Sequence, residues 1–271
     1  MPKLRANGIL VNYELAGEGE CLVLVHGAGD SLHLWDGQVP EFSRRYRVLT
    51  YDIRGFGETE LGEAEVDVSL LAADLRELLR AVGSDRAFVL GHSMGGRIAL
   101  QFAIEQPEAV RALVLSSSGV GVGARPPGAD ERRRQLIEAL ERGDLETAME
   151  QMTASSFSPG LRERDPALFE RYKRIKLAND PRAFARVWGA VMQAPPPDVS
   201  RISCPVLIIA GERDAFMSVD MARAAQAAIA GSRLELLPTG HTPALEAPER
   251  FNRIVLDFLA GVQDGREGKE S

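Results

Sequence analysis

Only two cysteines occur among the 271 residues, Cys21 and Cys204, far apart and with no CxxC spacing. That excludes a disulfide framework and a zinc-thiolate site. Two unpaired thiols beside apolar runs point instead to a reducing compartment. No run approaches the roughly 18 consecutive apolar residues of a membrane span. Residues 1–8 lack the apolar core of a signal peptide, so a cytoplasmic protein is expected. Positive charge is in the minority: 32 Lys and Arg stand against 39 Asp and Glu, a net of −7. This argues against nucleic acid and against an anionic membrane as the partner. The sequence carries no P-loop, no dinucleotide fingerprint, no cluster with metal-ligand spacing and no internal repeat, so neither metal nor cofactor is expected.

What remains is a chain that is 45% hydrophobic and 26% charged, long enough to bury a large core without a covalent staple. Asn7-Gly8, between two short strand-like runs, predicts a hairpin over 4–15. Continuous apolar runs at 21–25, 46–51, 86–91, 111–116, 205–210 and 233–237 predict strands buried on both faces. Helical spacing falls between them at 68–82, 94–105, 218–230 and 248–259. Strands alternating with helices predict an α/β fold with a mostly parallel central sheet covered on both sides. The alternation breaks once. Residues 119–200 are helical and charge-rich, flanked by Gly119-Val120-Gly121-Val122-Gly123 and by Ala194-Pro195-Pro196-Pro197 as hinges. The expected organisation is a core of 1–118 and 201–262, a helical cap of 119–200, and a polar, disordered tail of 263–271.

Gly91-His92-Ser93-Met94-Gly95-Gly96 follows a predicted strand and opens a predicted helix. G-x-S-x-G in that setting is a nucleophile elbow: a sharp turn lifts the Ser93 hydroxyl above the sheet, and Gly91 and Gly95 avoid a clash. A serine nucleophile needs a base. His26 precedes a glycine turn and is expected to bond nearby backbone, His33 reads as a surface residue, and His92 sits beside the serine with its ring directed away. His241, in the loop after the last predicted strand, is left as general base. The strand 205–210 ends in Gly211-Glu212-Arg213-Asp214. Of its two carboxylates, Asp214 lies deeper in the loop and is expected to orient the imidazole. The preceding strand ends in Ser116-Ser117-Ser118-Gly119, without a carboxylate. An oxyanion needs two donors, expected from the backbone N–H groups of Met94 and of Ala28 within His26-Gly27-Ala28-Gly29.

The chain order Ser93, Asp214, His241 is that of the α/β-hydrolases. Over about 20–120 and 200–260 the chain resembles that superfamily, through His26-Gly27-Ala28-Gly29, Asp52-Ile53-Arg54-Gly55-Phe56-Gly57, the elbow, Gly211-Glu212-Arg213-Asp214 and Gly240-His241. Within it the chain is similar to 3-oxoadipate enol-lactonase-like proteins and small carboxylesterases, through Ser156-Phe157-Ser158-Pro159, Asp180-Pro181-Arg182-Ala183-Phe184 and His241-Thr242-Pro243-Ala244-Leu245-Glu246. The resemblance implies hydrolysis of a small-molecule carboxylic ester or lactone through an acyl-enzyme, with no cofactor. Relatives that are dehalogenases or epoxide hydrolases use an aspartate where Ser93 stands. Relatives that cleave C–C bonds usually carry tryptophan where Thr242 stands. Cofactor-free haloperoxidases share the serine triad, and some relatives with an intact triad act as ligand-binding signalling proteins.

Phe184, Val187, Trp188, Val191 and Met192 form an apolar stripe at helical spacing. Both core packing and lining of a substrate pocket fit it, and Met149 and Met152 share that pair of readings. Phe184, Trp188, Met192 and Met152 are the expected pocket residues. Arg54-Gly55-Phe56-Gly57 reads as a structural turn and Trp35 as packing for the first helix. Arg132 to Arg134 and Arg171 to Lys176 read as solvated faces.

Overall fold

Asn7 and Gly8 both take positive φ, +46° and +81°, and turn β1 (Lys3–Ala6) into β2 (Ile9–Ala16), as an Asn-Gly hairpin requires. The computed structural model describes residues 2–123 and 128–267. The apolar runs become β3 (Cys21–Val25), β4 (Arg47–Tyr51), β5 (Ala87–His92), β6 (Val110–Ser116), β7 (Val206–Gly211) and β8 (Arg233–Leu237). All join one eight-stranded sheet in the order β1-β2-β4-β3-β5-β6-β7-β8. β2 runs antiparallel to both its neighbours, and the pairings from β4 onward are parallel. β3, β5 and β7 are buried along their whole length, because helices cover both faces.

Before β6 the chain forms α1 (Val39–Phe42), α2 (Val68–Ala81) and α3 (Met94–Glu105). Between β6 and β7 the described residues form α4 (Ala129–Glu141), α5 (Leu145–Ser156), α6 (Leu161–Arg164), α7 (Pro166–Leu177) and α8 (Pro181–Gln193), and no strand. After β7 come α9 (Val219–Ala228), α10 (Pro243–Glu246) and α11 (Pro248–Glu267). Sequence sets the starts of these helices. Asp67, Asp144, Asp165, Asp180 and Ser218 each accept a hydrogen bond from the backbone N–H three residues on, worth about 1 kcal/mol apiece.

The sheet splits the core by strand alternation. Cys21, Val23 and Val25 of β3 pack with α2, α3 and α8, while Leu22 and Leu24 pack with Trp35, Phe42 and α11. Trp35 is fully buried. Arg54 is buried beneath the sheet's end and makes two bonds to Asp74, of 2.7 and 2.6 Å, which accounts for the turn as a structural element. The two hinge segments lie against each other: a Cβ on Gly121 would stand 2.9 Å from Pro196 Cβ. One expectation is corrected. Residues 263–267 continue α11 rather than forming a disordered tail. Gln263 accepts from Tyr46 Oη at 3.2 Å and donates to Glu20, so a polar stretch is tied to the residues that lead into β3 and β4. Residues 268–271 lie outside the described residues. Among the described residues no helix is long and apolar enough to cross a membrane.

Candidate active site

Ser93 joins β5 to α3 at φ +52° and ψ −116°, a conformation disfavoured for a residue with a Cβ. Its surroundings enforce it. A Cβ on Gly91 would stand 2.5 Å from Gly95 O, and one on Gly95 would stand 2.3 Å from His26 O. A third glycine is equally required: a Cβ on Gly96 would meet Ser118 Cβ at 2.4 Å. Ser93 N–H donates to Ser116 O at 2.9 Å, which pins the turn to β6.

The three residues picked from sequence converge. His241 Nε2 lies 2.8 Å from Ser93 Oγ, and His241 Nδ1 lies 2.8 Å from Asp214 Oδ2. Asp214 is held by two backbone donors, Phe216 N–H at 2.7 Å and Met217 N–H at 2.9 Å, both on Oδ1. That leaves Oδ2 for His241 Nδ1 and turns Nε2 toward Ser93. Glu212, the competing carboxylate, is exposed. The Phe216 ring stands edge-on to His241 with centroids 4.8 Å apart, a contact that the sequence did not announce.

His26 bonds nearby backbone and His33 is partly exposed, as expected, whereas His92 lines the cavity together with His241. His26 is buried, with Nδ1 2.8 Å from Gly27 O and Nε2 accepting Ile53 N–H at 2.9 Å. Burial lowers its pKa and keeps it neutral. His33 is half exposed beside Asp36. The His92 ring is buried 5.0 Å from that of His241. Burial first, and the neighbouring His241 second, push its pKa down to about 3.

Ser93 and His241 open onto a cavity of about 370 Å³. Ala28 and Met94, the expected oxyanion donors, both line it, as do Met152, Trp188 and Met192. Phe184 does not, which corrects the expectation for that residue. It is fully buried between Phe56 and Trp188, at ring distances of 5.6 and 5.9 Å, and packs against the loop at Gly29. Met149 is likewise core.

The helices between β6 and β7 reach the reacting groups on two sides. Ser156 O, at the end of α5, accepts from His241 N–H at 2.9 Å and from Thr242 Oγ1 at 3.1 Å. Glu246 accepts from Gly240 N–H at 2.7 Å and from both the N–H and the hydroxyl of Ser158. On the other side, α7 sends Lys176 inward. Its ammonium sits 2.8 Å from Asp30 Oδ1, 3.0 Å from Ala28 O and 4.4 Å from the centre of the Tyr172 ring. Lys176 is thus a buried ion-pair member, 1% exposed, and not part of a solvated face. Burial alone would raise the Asp30 carboxyl, but Lys176 and then His92 hold it below its ordinary value. Phe169, Tyr172 and Lys176 share one helical face, and that spacing was the available signal.

The fold has counterparts among known proteins. Residues 20–248 match the model of the alpha/beta hydrolase fold family. The chain is 29% identical over 255 residues to the 3-oxoadipate enol-lactonase 2 of Acinetobacter baylyi, covering 93% of this chain and 94% of that protein. It is 28% identical to the 2-hydroxy-6-oxo-6-phenylhexa-2,4-dienoate hydrolase of Comamonas testosteroni, covering 92% and 91%. The enol-lactonase from Burkholderia xenovorans superposes with a TM-score of 0.88 at 25% identity, over 96% of this chain and all of that one.

Proposed function

The chain belongs to the α/β hydrolase fold family, and on that premise we propose that it is a serine hydrolase cleaving a small carboxylic ester or lactone through an acyl-enzyme. The observation that carries this reading is the unbroken relay from Asp214 Oδ2 through His241 to Ser93 Oγ, with both links at 2.8 Å. Ser93 Oγ attacks the carbonyl carbon as its proton passes to His241 Nε2. The carbonyl oxygen gains the negative charge and receives the N–H groups of Met94 and Ala28. Collapse expels the alcohol, which takes the proton from His241. For a lactone the alcohol stays tethered to the acyl group. Water then delivers a proton to His241 and its oxygen to the acyl carbon, releasing the acid and restoring Ser93. No cofactor enters this sequence.

Trp188, Met152 and Met192 supply the apolar wall for the acyl or alcohol part. The relative that cleaves C–C bonds keeps a second reading in view. Thr242 favours the ester reading, since its hydroxyl is committed to Ser156 O where the C–C hydrolases carry tryptophan. The two free thiols, with Cys21 buried, support a cytoplasmic setting.

The test is a panel of aryl esters, lactones, enol-lactones and a vinylogous 1,5-diketone, run on purified protein beside fluorophosphonate labelling. Repeated ester or lactone turnover with a single label on Ser93 is expected. Ser93→Ala and His241→Ala should each lower kcat by roughly 10³–10⁶, and the double variant should be little worse than either. Near-normal hydrolysis by Ser93→Ala, or turnover of the diketone alone, overturns the reading.

A further inference from the structure

The loop from His26 to Asp30 holds three successive carbonyls, and each is gripped by a side chain. Gly27 O accepts from His26 Nδ1, Ala28 O from Lys176 Nζ at 3.0 Å, and Gly29 O from Asn179 Nδ2 at 2.7 Å. In a trans peptide each C=O shares its plane with the N–H of the next residue, so the His26 bond to Gly27 O orients Ala28 N–H, while the Lys176 bond to Ala28 O orients Gly29 N–H and holds Ala28 from its carbonyl side. Two of the three grips come from α7 and the turn after it, not from the core that carries Ser93.

Lys176 does a second thing. Asp30 Oδ2 lies 2.9 Å, and Ser93 Cβ 3.4 Å, from the point where a Cβ on Gly27 would stand. A buried carboxylate oxygen therefore lies no more than about 6 Å from Ser93 Cβ. Unpaired, its charge would oppose the negative charge that forms on the substrate oxygen, and low-dielectric surroundings would screen it poorly. The Lys176 ammonium, 2.8 Å from Asp30 Oδ1, cancels it. Tyr172 Oη, 3.3 Å from Asp30 Oδ2, holds the other oxygen.

We propose that Lys176 is a positioning residue for the oxyanion site: it anchors Ala28 from the carbonyl side, complementing the hold of His26 on the peptide that carries Ala28 N–H, and it neutralises Asp30, so the site is complete only when α7 is seated. The inference rests on the serine-hydrolase reading. It makes the helical segment a working part of the catalytic apparatus and not merely a wall around the substrate.

Two electrically neutral double variants separate the roles. Asp30→Asn/Lys176→Gln keeps an N–H donor for Ala28 O, whereas Asp30→Asn/Lys176→Met removes it. On a p-nitrophenyl ester the Gln form should retain kcat within about tenfold of wild type. The Met form should fall by about 10²-fold, at the lower edge of the loss from deleting an oxyanion donor outright. KM should change by less than about threefold in both, because the oxyanion forms after binding. Melting temperatures and circular dichroism are read on the same samples. Equal, wild-type kcat in both variants overturns the inference, since the pair would then only balance its own charge. Failure of both to fold also overturns it, by making the pair a folding element. A wild-type enzyme that turns over none of the esters, with Ser93 unlabelled, instead removes the functional reading on which the inference stands.

Discussion

Ser93, Asp214 and His241 leave the sheet at the carboxyl ends of β5, β7 and β8, whereas Lys176, Ser156 and Trp188 reach the same cavity from the helices between β6 and β7. The two regions fix their side chains by different means. The sheet uses backbone: a strained Ser93, glycines with no room for a methyl group, and two main-chain donors on Asp214. The helical segment relies more on side chains, with the Lys176–Asp30 ion pair and the Asn179 amide aimed at loops of the core, beside one main-chain acceptor, Ser156 O. A site held by backbone tolerates almost no substitution. A site held by side chains can be retuned, so chemistry is expected to follow the sheet and selectivity the helices.

Three further measurements break or sharpen that contrast, taken from the largest effect downward. Asp214→Asn should leave the fold intact and lower kcat by about 10⁴, by presenting His241 in the wrong tautomer. Glu212→Gln, exposed and two residues away, should leave kcat within a few-fold. A reversal of the two would place the orienting carboxylate elsewhere in the loop. On the helical side, Trp188→Ala should reorder the preference among acyl chain lengths more than it lowers the melting temperature. A loss of about 3–5 kcal/mol in stability with an unchanged order would make Trp188 core alone. The smallest effect concerns pH. The folded pKa of His92, about 3, lies below the ordinary 6.5, so the unfolded chain takes up the extra proton. The stability that this contributes is whole above about 6.5 and drains away as pH falls toward 3. His92→Asn should therefore lose less melting temperature between about pH 7 and pH 4.5 than wild type does. The flattening is partial, because His26 shifts the same way.

How far the sequence reached follows the same division. The buried strands β3, β5 and β7, the elbow and the choice of Asp214 over Glu212 are local patterns and are legible, whereas β8, expected to be buried on both faces, is an edge strand buried fully only at Leu237. Lys176 was not, because its charge outweighed the face it shares with Phe169 and Tyr172. Only the fold discloses that Asp30 lies across from it. Phe184 and Trp188 belong to one stripe on a helix buried on two sides, and periodicity cannot say which side meets the loops of the core and which the cavity. The polar end of α11 read as a tail because nothing near it in sequence names its partners, Tyr46 and Glu20, more than 200 positions away.

The stretches flanking the helical segment meet, a Cβ on Gly121 standing 2.9 Å from Pro196 Cβ, so the long helical excursion departs from and returns to nearly one place. Closing such a loop costs entropy that grows only with the logarithm of its length, about 0.6 kcal/mol for each doubling. The sheet is thus almost indifferent to how much chain hangs between β6 and β7. What is not indifferent is the pair of moorings at Ser156 and Lys176. The turn at Arg142-Gly143-Asp144 lies ahead of both, and a Cβ on Gly143 would touch nothing within 4 Å. At that point the chain can lengthen or shorten at little entropic cost, which leaves room for the pocket's outer wall to change over generations while the bonds beneath it stay as they are.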